Sequence, residues 1–223
     1  MPWLVIERST VKLYKPYYQF FKRLFDIIVC IPSLIILSPF LIFVAIAIRL
    51  DSPGPILFVQ KRVGKGGRLF DIYKFRTLYH NIDRSSHQAF MKDFVHGKIK
   101  QKGKNTIFKP FADNHVTRVG YILRETSLDE LPQFLNVLKG DMSLVGPRPN
   151  VPWEVEEYYE WHKERLEVLP GITGLAQVRG RSGILFDAIV QYDIEYIERQ
   201  SLWLDLKILW WTISHLFNGG GVR

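Results

Sequence analysis

Cysteine is nearly missing from this chain: Cys30 is the only one in 223 residues. An intrachain disulfide is therefore impossible, and a cysteine-based metal site is excluded. Histidine offers no substitute. His80, His87, His96, His115, His162 and His215 are scattered without the short spacings of metal ligands, and read as surface or packing residues. Acidic residues are outnumbered, 22 against 30 Lys and Arg, which leaves a formal net charge of +8. That excess calls for an anionic partner; nucleic acid, anionic lipid headgroups and phosphorylated substrates all qualify. Internal repeats are absent, and no clear linker separates two domains. The balance of 47% hydrophobic and 23% charged residues is that of a folded chain. The length allows one domain with a real core, or a smaller core plus a membrane element.

Long uncharged runs are also scarce, and residues 27–48 form the only one. As a helix this run would measure about 33 Å, enough to cross a hydrocarbon layer of roughly 30 Å. A secretion signal is a poor match, because the run is too long and its basic leader is long as well. A core helix fits badly too, since the segment is apolar all round. Lys12, Lys15, Lys22 and Arg23 precede the run, and Arg49, Lys61, Arg62, Lys65 and Arg68 follow it. A spanning helix would carry one of these clusters across the membrane, against the positive-inside rule. A re-entrant hairpin keeps both on one side. Pro39 costs about 3 kcal/mol in a straight helix, and the Ser38 hydroxyl can satisfy a freed carbonyl. Ser38-Pro39 is therefore the expected bend, with Pro32 as a second weak point; a kinked spanning helix is the alternative.

The remainder reads as a catalytic-sized unit over 52–223, after a membrane segment over 1–51. Residues 56–59 and 69–75 are strand-like, and Gly64-Lys65-Gly66-Gly67 between them predicts a hairpin. Residues 79–114 are polar and basic, an expected surface insertion with a short helix near 87–96. Helices are expected over 116–125, 128–138 (closed by Lys139-Gly140), 152–169 and 186–199. A Gly- and Arg-rich loop is expected over 172–183. Residues 202–217 mix Trp203, Trp210 and Trp211 with leucines and a few charges, which suits a helix in the headgroup region or a core-facing one.

Chemistry concentrates in Ser127-Leu128-Asp129-Glu130-Leu131-Pro132-Gln133 and in Val145-Gly146-Pro147-Arg148-Pro149. Ser127 and Glu130 have capping-box spacing, so Glu130 has a purely structural reading as a helix cap. A carboxylate at a helix start is also held ionised by the helix dipole. Ionised, it can attack phosphorus or bind Mg²⁺, with its neighbour as general base. Arg148 sits in a loop stiffened by two prolines and can grip a phosphate bidentately. Arg179-Gly180-Arg181 repeats that chemistry, and Arg124 lies just before the carboxylates.

Taken together, these motifs resemble the bacterial sugar transferases, the small monotopic phosphoglycosyl transferases also called polyprenyl glycosylphosphotransferases. The likeness is carried in order by Lys22-Arg23-Leu24-Phe25-Asp26, Ser38-Pro39, Ile72-Tyr73-Lys74-Phe75-Arg76-Thr77, Leu123-Arg124 and the Asp129-Glu130 motif. It continues through Asn136-Val137-Leu138-Lys139-Gly140-Asp141, the Gly146–Pro149 loop and Pro170-Gly171-Ile172-Thr173-Gly174. The resemblance implies an α+β, mostly helical monotopic membrane protein. Its parts would be a re-entrant helix-break-helix hairpin, interfacial amphipathic helices and a small cytosolic α/β core. The implied reaction is an Mg²⁺-dependent transfer of sugar-1-phosphate from a UDP-sugar to polyprenol (undecaprenyl) phosphate, with release of UMP. It would be the first membrane step of a bacterial exopolysaccharide, capsule, O-antigen or glycoprotein glycan pathway. Asp129 is the implied nucleophile, carrying a covalent phosphosugar, and Mg²⁺ would sit beside it and the diphosphate. Glu130 would help activate the polyprenol phosphate. Arg124, Lys74, Arg148 and Arg179 are the expected phosphate contacts. A homodimer and downstream glycosyltransferases are expected partners, and the inner membrane, with the catalytic part on its cytoplasmic face, is the expected location.

Leu78 departs from the family pattern, where Met often follows Lys-Phe-Arg-Thr. No multi-helix membrane region precedes the catalytic part in this sequence, unlike longer members. Two rival readings remain at this level: a membrane-attached scaffold without activity, and an ordinary glycosyltransferase that would release UDP. Nucleic-acid binding has no recognition motif to support it.

Overall fold

The computed structural model describes residues 15–79, 85–98, 115–180 and 184–217. Most of the expected insertion over 79–114, and Arg181, lie outside the described residues. The first described element is α1, Pro16–Asp51, one 36-residue helix. Among the described residues it alone is long and apolar enough to cross a membrane. Ile28, Ile31, Ile35, Ile36, Phe40, Ile42, Phe43 and Ile46 are exposed along it.

The expected break at Ser38-Pro39 is replaced by continuous helix, with Pro32 and Pro39 inside. The reason is local. Pro39 has no N–H to give the Ile35 carbonyl, and the Ser38 hydroxyl donates to that same oxygen at 2.8 Å. The side chain supplies the bond that the proline removes.

Strands β1 (Leu57–Val63) and β2 (Leu69–Phe75) form the expected antiparallel hairpin, with Leu57 opposite Phe75 and Val63 opposite Leu69. Its turn uses Gly66 and Gly67 at positive φ, 63° and 81°, backbone that side chains resist. Helix α2 (Ser85–Val95) coincides closely with the short helix expected near 87–96. Helix α3 (Arg118–Glu125) starts at Thr117, whose hydroxyl accepts the Gly120 N–H at 2.9 Å. The helix expected over 128–138 is split. Leu128–Gln133 is a 3-10 turn, with Pro132 inside it, and only Phe134–Lys139 is α-helical (α4), ended by Gly140 at φ 85°.

After α4 come β3 (Ser143–Val145), α5 (Pro152–Val155), a 3-10 segment Glu160–Glu167 and β4 (Gly171–Thr173). Strands β3 and β4 pair in parallel. The single helix expected over 152–169 is thus two short pieces. His162, Arg165 and Glu154 are drawn into buried polar networks, and the Tyr159 N–H bonds the His162 ring at 3.3 Å instead of a carbonyl one turn back. The loop expected over 172–183 holds α6 (Leu175–Gly180).

Helices α7 (Phe186–Arg199) and α8 (Leu202–Phe217) fall where the apolar periodicity puts them. Phe186, Val190, Asp193, Tyr196 and Ile197 line the buried face of α7. On α8, Ile208 is buried in the core while Trp203, Leu206, Trp210 and Ile213 are exposed. Among the described residues the architecture is mostly helical, with two small sheets and one long apolar N-terminal helix.

Both halves of α1 rest on the globular body. Near its start, Lys22 pairs with Asp205 of α8 at 2.9 Å, and Arg23 donates to the Val137 and Leu138 carbonyls that end α4. The buried Asp26 carboxylate accepts the Leu144 N–H of β3 at 3.1 Å. Toward its end, Val44 and Ile48 pack with Phe75 of β2 and Leu123 of α3. The buried Arg76 guanidinium then fastens the Ser52 and Pro53 carbonyls that follow the helix. Asp51 accepts the Val119 N–H at 3.0 Å, which ties the same end to the first turn of α3.

Candidate active site

Three segments meet around Glu130: the end of β2, the 3-10 turn after α3, and the loop after β3. Lys74 is placed by Asn136, a fully buried residue of α4 whose amide clamps one edge of the β2 backbone. Its Nδ2 donates to the Asp71 carbonyl at 2.6 Å, and its Oδ1 accepts the Tyr73 N–H at 3.0 Å. Asp129 and Glu130 are placed by Ser127, which adopts φ 56°, ψ 17°. It is the one non-glycine with positive φ among the described residues, a conformation that turns the chain sharply between α3 and the 3-10 segment. The capping box does not form: the Ser127 side chain makes no capping bond, and Glu130 is directed to two cations instead.

The loop carrying Arg148 is locked backbone to backbone. The Gly146 N–H donates to the Thr173 carbonyl at 2.9 Å, and the Gly171 N–H to the Pro147 carbonyl at 2.9 Å. A side chain on Gly146 would overlap the Leu169 carbonyl oxygen, and one on Gly171 would overlap the Gly146 nitrogen. The glycines of Val145-Gly146-Pro147 and Pro170-Gly171-Ile172 are therefore one steric requirement seen from two sides.

Within this frame Lys74 Nζ meets Glu130 Oε1 at 2.6 Å, and Arg148 Nη2 meets the same oxygen at 2.8 Å. The Lys74 and Glu130 side chains are mostly enclosed, while that of Arg148 is 47% exposed. Burial alone would raise the Glu130 carboxyl, but the Arg148 and Lys74 charges hold it well below the usual carboxylate range. Asp129 behaves oppositely. Burial pushes its carboxyl upward, the pull of Lys74, Arg148 and Arg124 opposes this, and the Glu130 charge adds to the rise. Burial likewise lowers Lys74, with Glu130 opposing. Asp129 makes no direct hydrogen bond or ion pair among the described residues. Its oxygens face only charges at a distance.

Of the residues singled out from the sequence, the structure brings Lys74, Asp129, Glu130 and Arg148 together. Arg124, in the last turn of α3, reaches Asp129 through its charge. Arg179 goes elsewhere: its Nη1 lies 3.0 Å from both Glu195 carboxylate oxygens, and its guanidinium lies over the Trp211 ring. Sequence reasoning missed Asn136, Arg165 and Arg62. Asn136 carried no role within the Asn136–Asp141 motif, Arg62 was counted only in the basic flank of the apolar run, and Arg165 lay within the amphipathic helix expected over 152–169.

The family model for bacterial sugar transferases matches residues 17–219. The chain belongs to the bacterial sugar transferase family. This sugar transferase is 43% identical over 215 residues to the galactosyl transferase CpsE of Streptococcus agalactiae serotype III, covering 96% of the present chain and 46% of that protein. It is 42% identical over 203 residues to the undecaprenyl-phosphate galactose phosphotransferase of Salmonella typhimurium, covering 91% and 42%. It is also 41% identical over 204 residues to the UDP-glucose:undecaprenyl-phosphate glucose-1-phosphate transferase of Caulobacter vibrioides, covering 87% and 69%. The chain thus spans less than half the length of the Streptococcus and Salmonella relatives.

Among the described residues no group of three or more His, Cys, Asp or Glu side chains is gathered as a metal cage. Mg²⁺ does not need one, because it commonly binds through one or two carboxylates, substrate phosphates and water. Asp129, free of direct partners, fits that donor set. Glu130, whose Oε1 is held by two cations, fits it less well.

Proposed function

We propose that this protein transfers sugar-1-phosphate from a UDP-sugar to polyprenol phosphate at a membrane surface, releasing UMP. The observation that carries the reading is the contrast between the neighbouring carboxylates: Glu130 is locked to Lys74 and Arg148, while Asp129 is half-buried and has no direct hydrogen-bond or ion-pair partner among the described residues. An Asp129 oxygen attacks the phosphorus bonded to the sugar, an Asp–O–P bond forms, and the bond to UMP breaks as UMP leaves with the electron pair. A phosphate oxygen of the polyprenol then attacks the same phosphorus. The Asp129 carboxylate is released and the lipid-linked diphosphosugar departs. Splitting the transfer means that the water-soluble donor and the lipid acceptor need not be bound together.

Arg148 and Lys74 face the developing charge on the transferred phosphoryl group, with Arg124 adding a third positive charge toward Asp129. Bound Mg²⁺, held by Asp129 and the diphosphate, would supply further neutralisation of phosphate oxygens. Glu130, held firmly ionised, is a weak proton acceptor. Its part is to fix Lys74 and Arg148, and a polyprenol phosphate already carrying negative charge has little need of a strong base.

The same reading puts α1 in the membrane as a re-entrant element, which, with the helix continuous through Pro32 and Pro39, would enter and leave by bending at the prolines rather than by a break. Both its first two turns and its last turn dock on one globular body, which favours both ends lying on the same side. The catalytic body would then sit on the cytoplasmic face of a bacterial inner membrane.

The deciding experiment incubates the protein with UDP-sugars, polyprenol phosphate and Mg²⁺ and identifies the nucleotide released. UMP from the wild type, and less than about a thousandth of that rate from Asp129→Asn, supports the reading. UDP release would indicate an ordinary glycosyltransferase. Equal behaviour of the two proteins would leave Asp129 without its nucleophilic role.

A further inference from the structure

We infer that Arg165 is a positioning residue, which sets the direction of Arg148 from behind the loop and thereby shapes the site for the donor phosphates. The inference rests on the transferase reading above. Arg165 belongs to the 3-10 segment Glu160–Glu167 and is only 3% exposed. Its Nη2 donates to the Arg148 carbonyl oxygen at 3.1 Å, and its Nη1 to Asn150 Oδ1 at 2.9 Å and to Tyr158 Oη at 2.8 Å. The charge is met by Asp193 of α7, buried to 1% exposure, at 2.6 Å.

The loop needs such a partner. Pro147 and Pro149 fix their own φ angles and contribute no N–H, but the peptide plane after Arg148 turns about the ψ of Arg148. The bond from Arg165 to the Arg148 carbonyl fixes that plane. Arg62 does the same for the next carbonyl, donating to Pro149 at 3.1 Å. Asn150 closes the frame: its backbone carbonyl accepts the Val63 N–H at 2.9 Å, and its Nδ2 donates to Glu154 at 2.6 Å. A small cleft lined by Val63, Gly64, Arg148, Tyr158 and Arg165 lies at this junction.

A role in stability alone is a weak reason to bury this pair. Replacing a buried ion pair with well-packed apolar residues is often neutral or stabilising. What apolar residues cannot do is hold the Arg148 carbonyl and Asn150 at once.

The test compares the full chain in detergent micelles with Arg165→Met/Asp193→Leu, which removes both buried charges together. The expected result is a Tm within about 3 °C of wild type, with kcat/KM for the UDP-sugar lowered about 30-fold. That loss should divide between kcat and KM as it does in Arg148→Ala. In an Arg148→Ala background the same pair should cost less than about 3-fold more, because Arg165 acts through Arg148. Losses that multiply independently in the two backgrounds, or an unchanged rate in the pair variant, overturn the inference. Should the pair variant not fold, Arg165→Lys keeps a charge opposite Asp193 while losing the two-pronged grip, and the same non-additivity is required of it. If the wild type releases no nucleotide, the transferase reading falls by itself, and amide hydrogen exchange decides the positioning role. Exchange at Arg148, Asn150 and Val151 should then quicken about 10-fold in the variant, with α8 unchanged; equal protection overturns it.

Discussion

Asp129 and Glu130 are joined by one peptide bond and yet sit in opposite electrostatic regimes. Glu130 has two cations within 2.8 Å, while Asp129 is half-buried without a direct partner among the described residues. The linkage signs follow. The Glu130 carboxyl is depressed in the folded protein, so its contribution to stability is present above its unfolded pKa and lost as pH falls through the folded one. The Asp129 carboxyl is raised, so its contribution is present at acid pH and lost as pH rises through the folded pKa. At neutral pH the charge on Asp129 therefore destabilises the fold. With chelator present, Asp129→Asn should raise Tm by about 2–4 °C at pH 7.5, and thermal unfolding should show that gain shrinking as pH falls toward 4. Glu130→Gln should do the reverse, losing about 2 kcal/mol in chemical denaturation because Lys74 is left enclosed and unpaired. An Asn variant less stable than wild type at neutral pH would mean that burial does not dominate at Asp129.

At the scale of elements, the site depends on close backbone approaches more than on helix ends. β3, β4 and the loop between Gly146 and Pro149 are joined where any side chain on Gly146 would strike the Leu169 carbonyl. Gly146→Ala should therefore cost about 3 kcal/mol and disturb Arg148 as well. Gly66→Ala is the control: its φ of 63° is strained for alanine, but nothing lies within 4 Å of an added Cβ, so the cost should stay near 1 kcal/mol with turnover kept. Equal losses in the two variants, measured by thermal melts and turnover, would remove the steric argument. Legibility also varied by element. The hairpin and α7 and α8 were readable because turn glycines and apolar spacing act locally. Residues 152–169 were misread as one helix because His162 and Arg165 look like a solvated face in sequence, whereas they are buried among Tyr158, Asp187 and Asp193.

For the whole molecule, α1 is the organising feature. Its long exposed apolar surface calls for lipid, and its two ends are anchored to one body by Lys22, Arg23 and Asp26 at one end and Val44, Ile48 and Asp51 at the other. A cysteine at Lys12 and another at Lys65, each in a Cys30→Ala background, should both be labelled by an impermeant thiol reagent from the cytoplasmic side alone. Labelling of the Lys12 position from the outer side would replace the proposed re-entrant arrangement by a spanning one. Exposed Trp203 and Trp210 on α8 are of the type found at membrane–water boundaries.

The sequence by itself determined the kind of protein this is. An uncharged run with basic flanks is long and apolar enough to cross a membrane, and the ordered motifs around the adjacent carboxylates and the Gly-Pro loops mark the family. These are local patterns, legible without coordinates. Which carboxylate is paired and which is free was decided only by the tertiary structure, because Lys74, Glu130 and Arg148 are brought together from three separate segments. The same holds for Arg179, drawn away to Glu195 and Trp211, and for Arg165, which earns its role from the carbonyl it meets inside the fold. Charge and burial are properties of neighbours in space, and the neighbours of Asp129 exist only once the chain has folded.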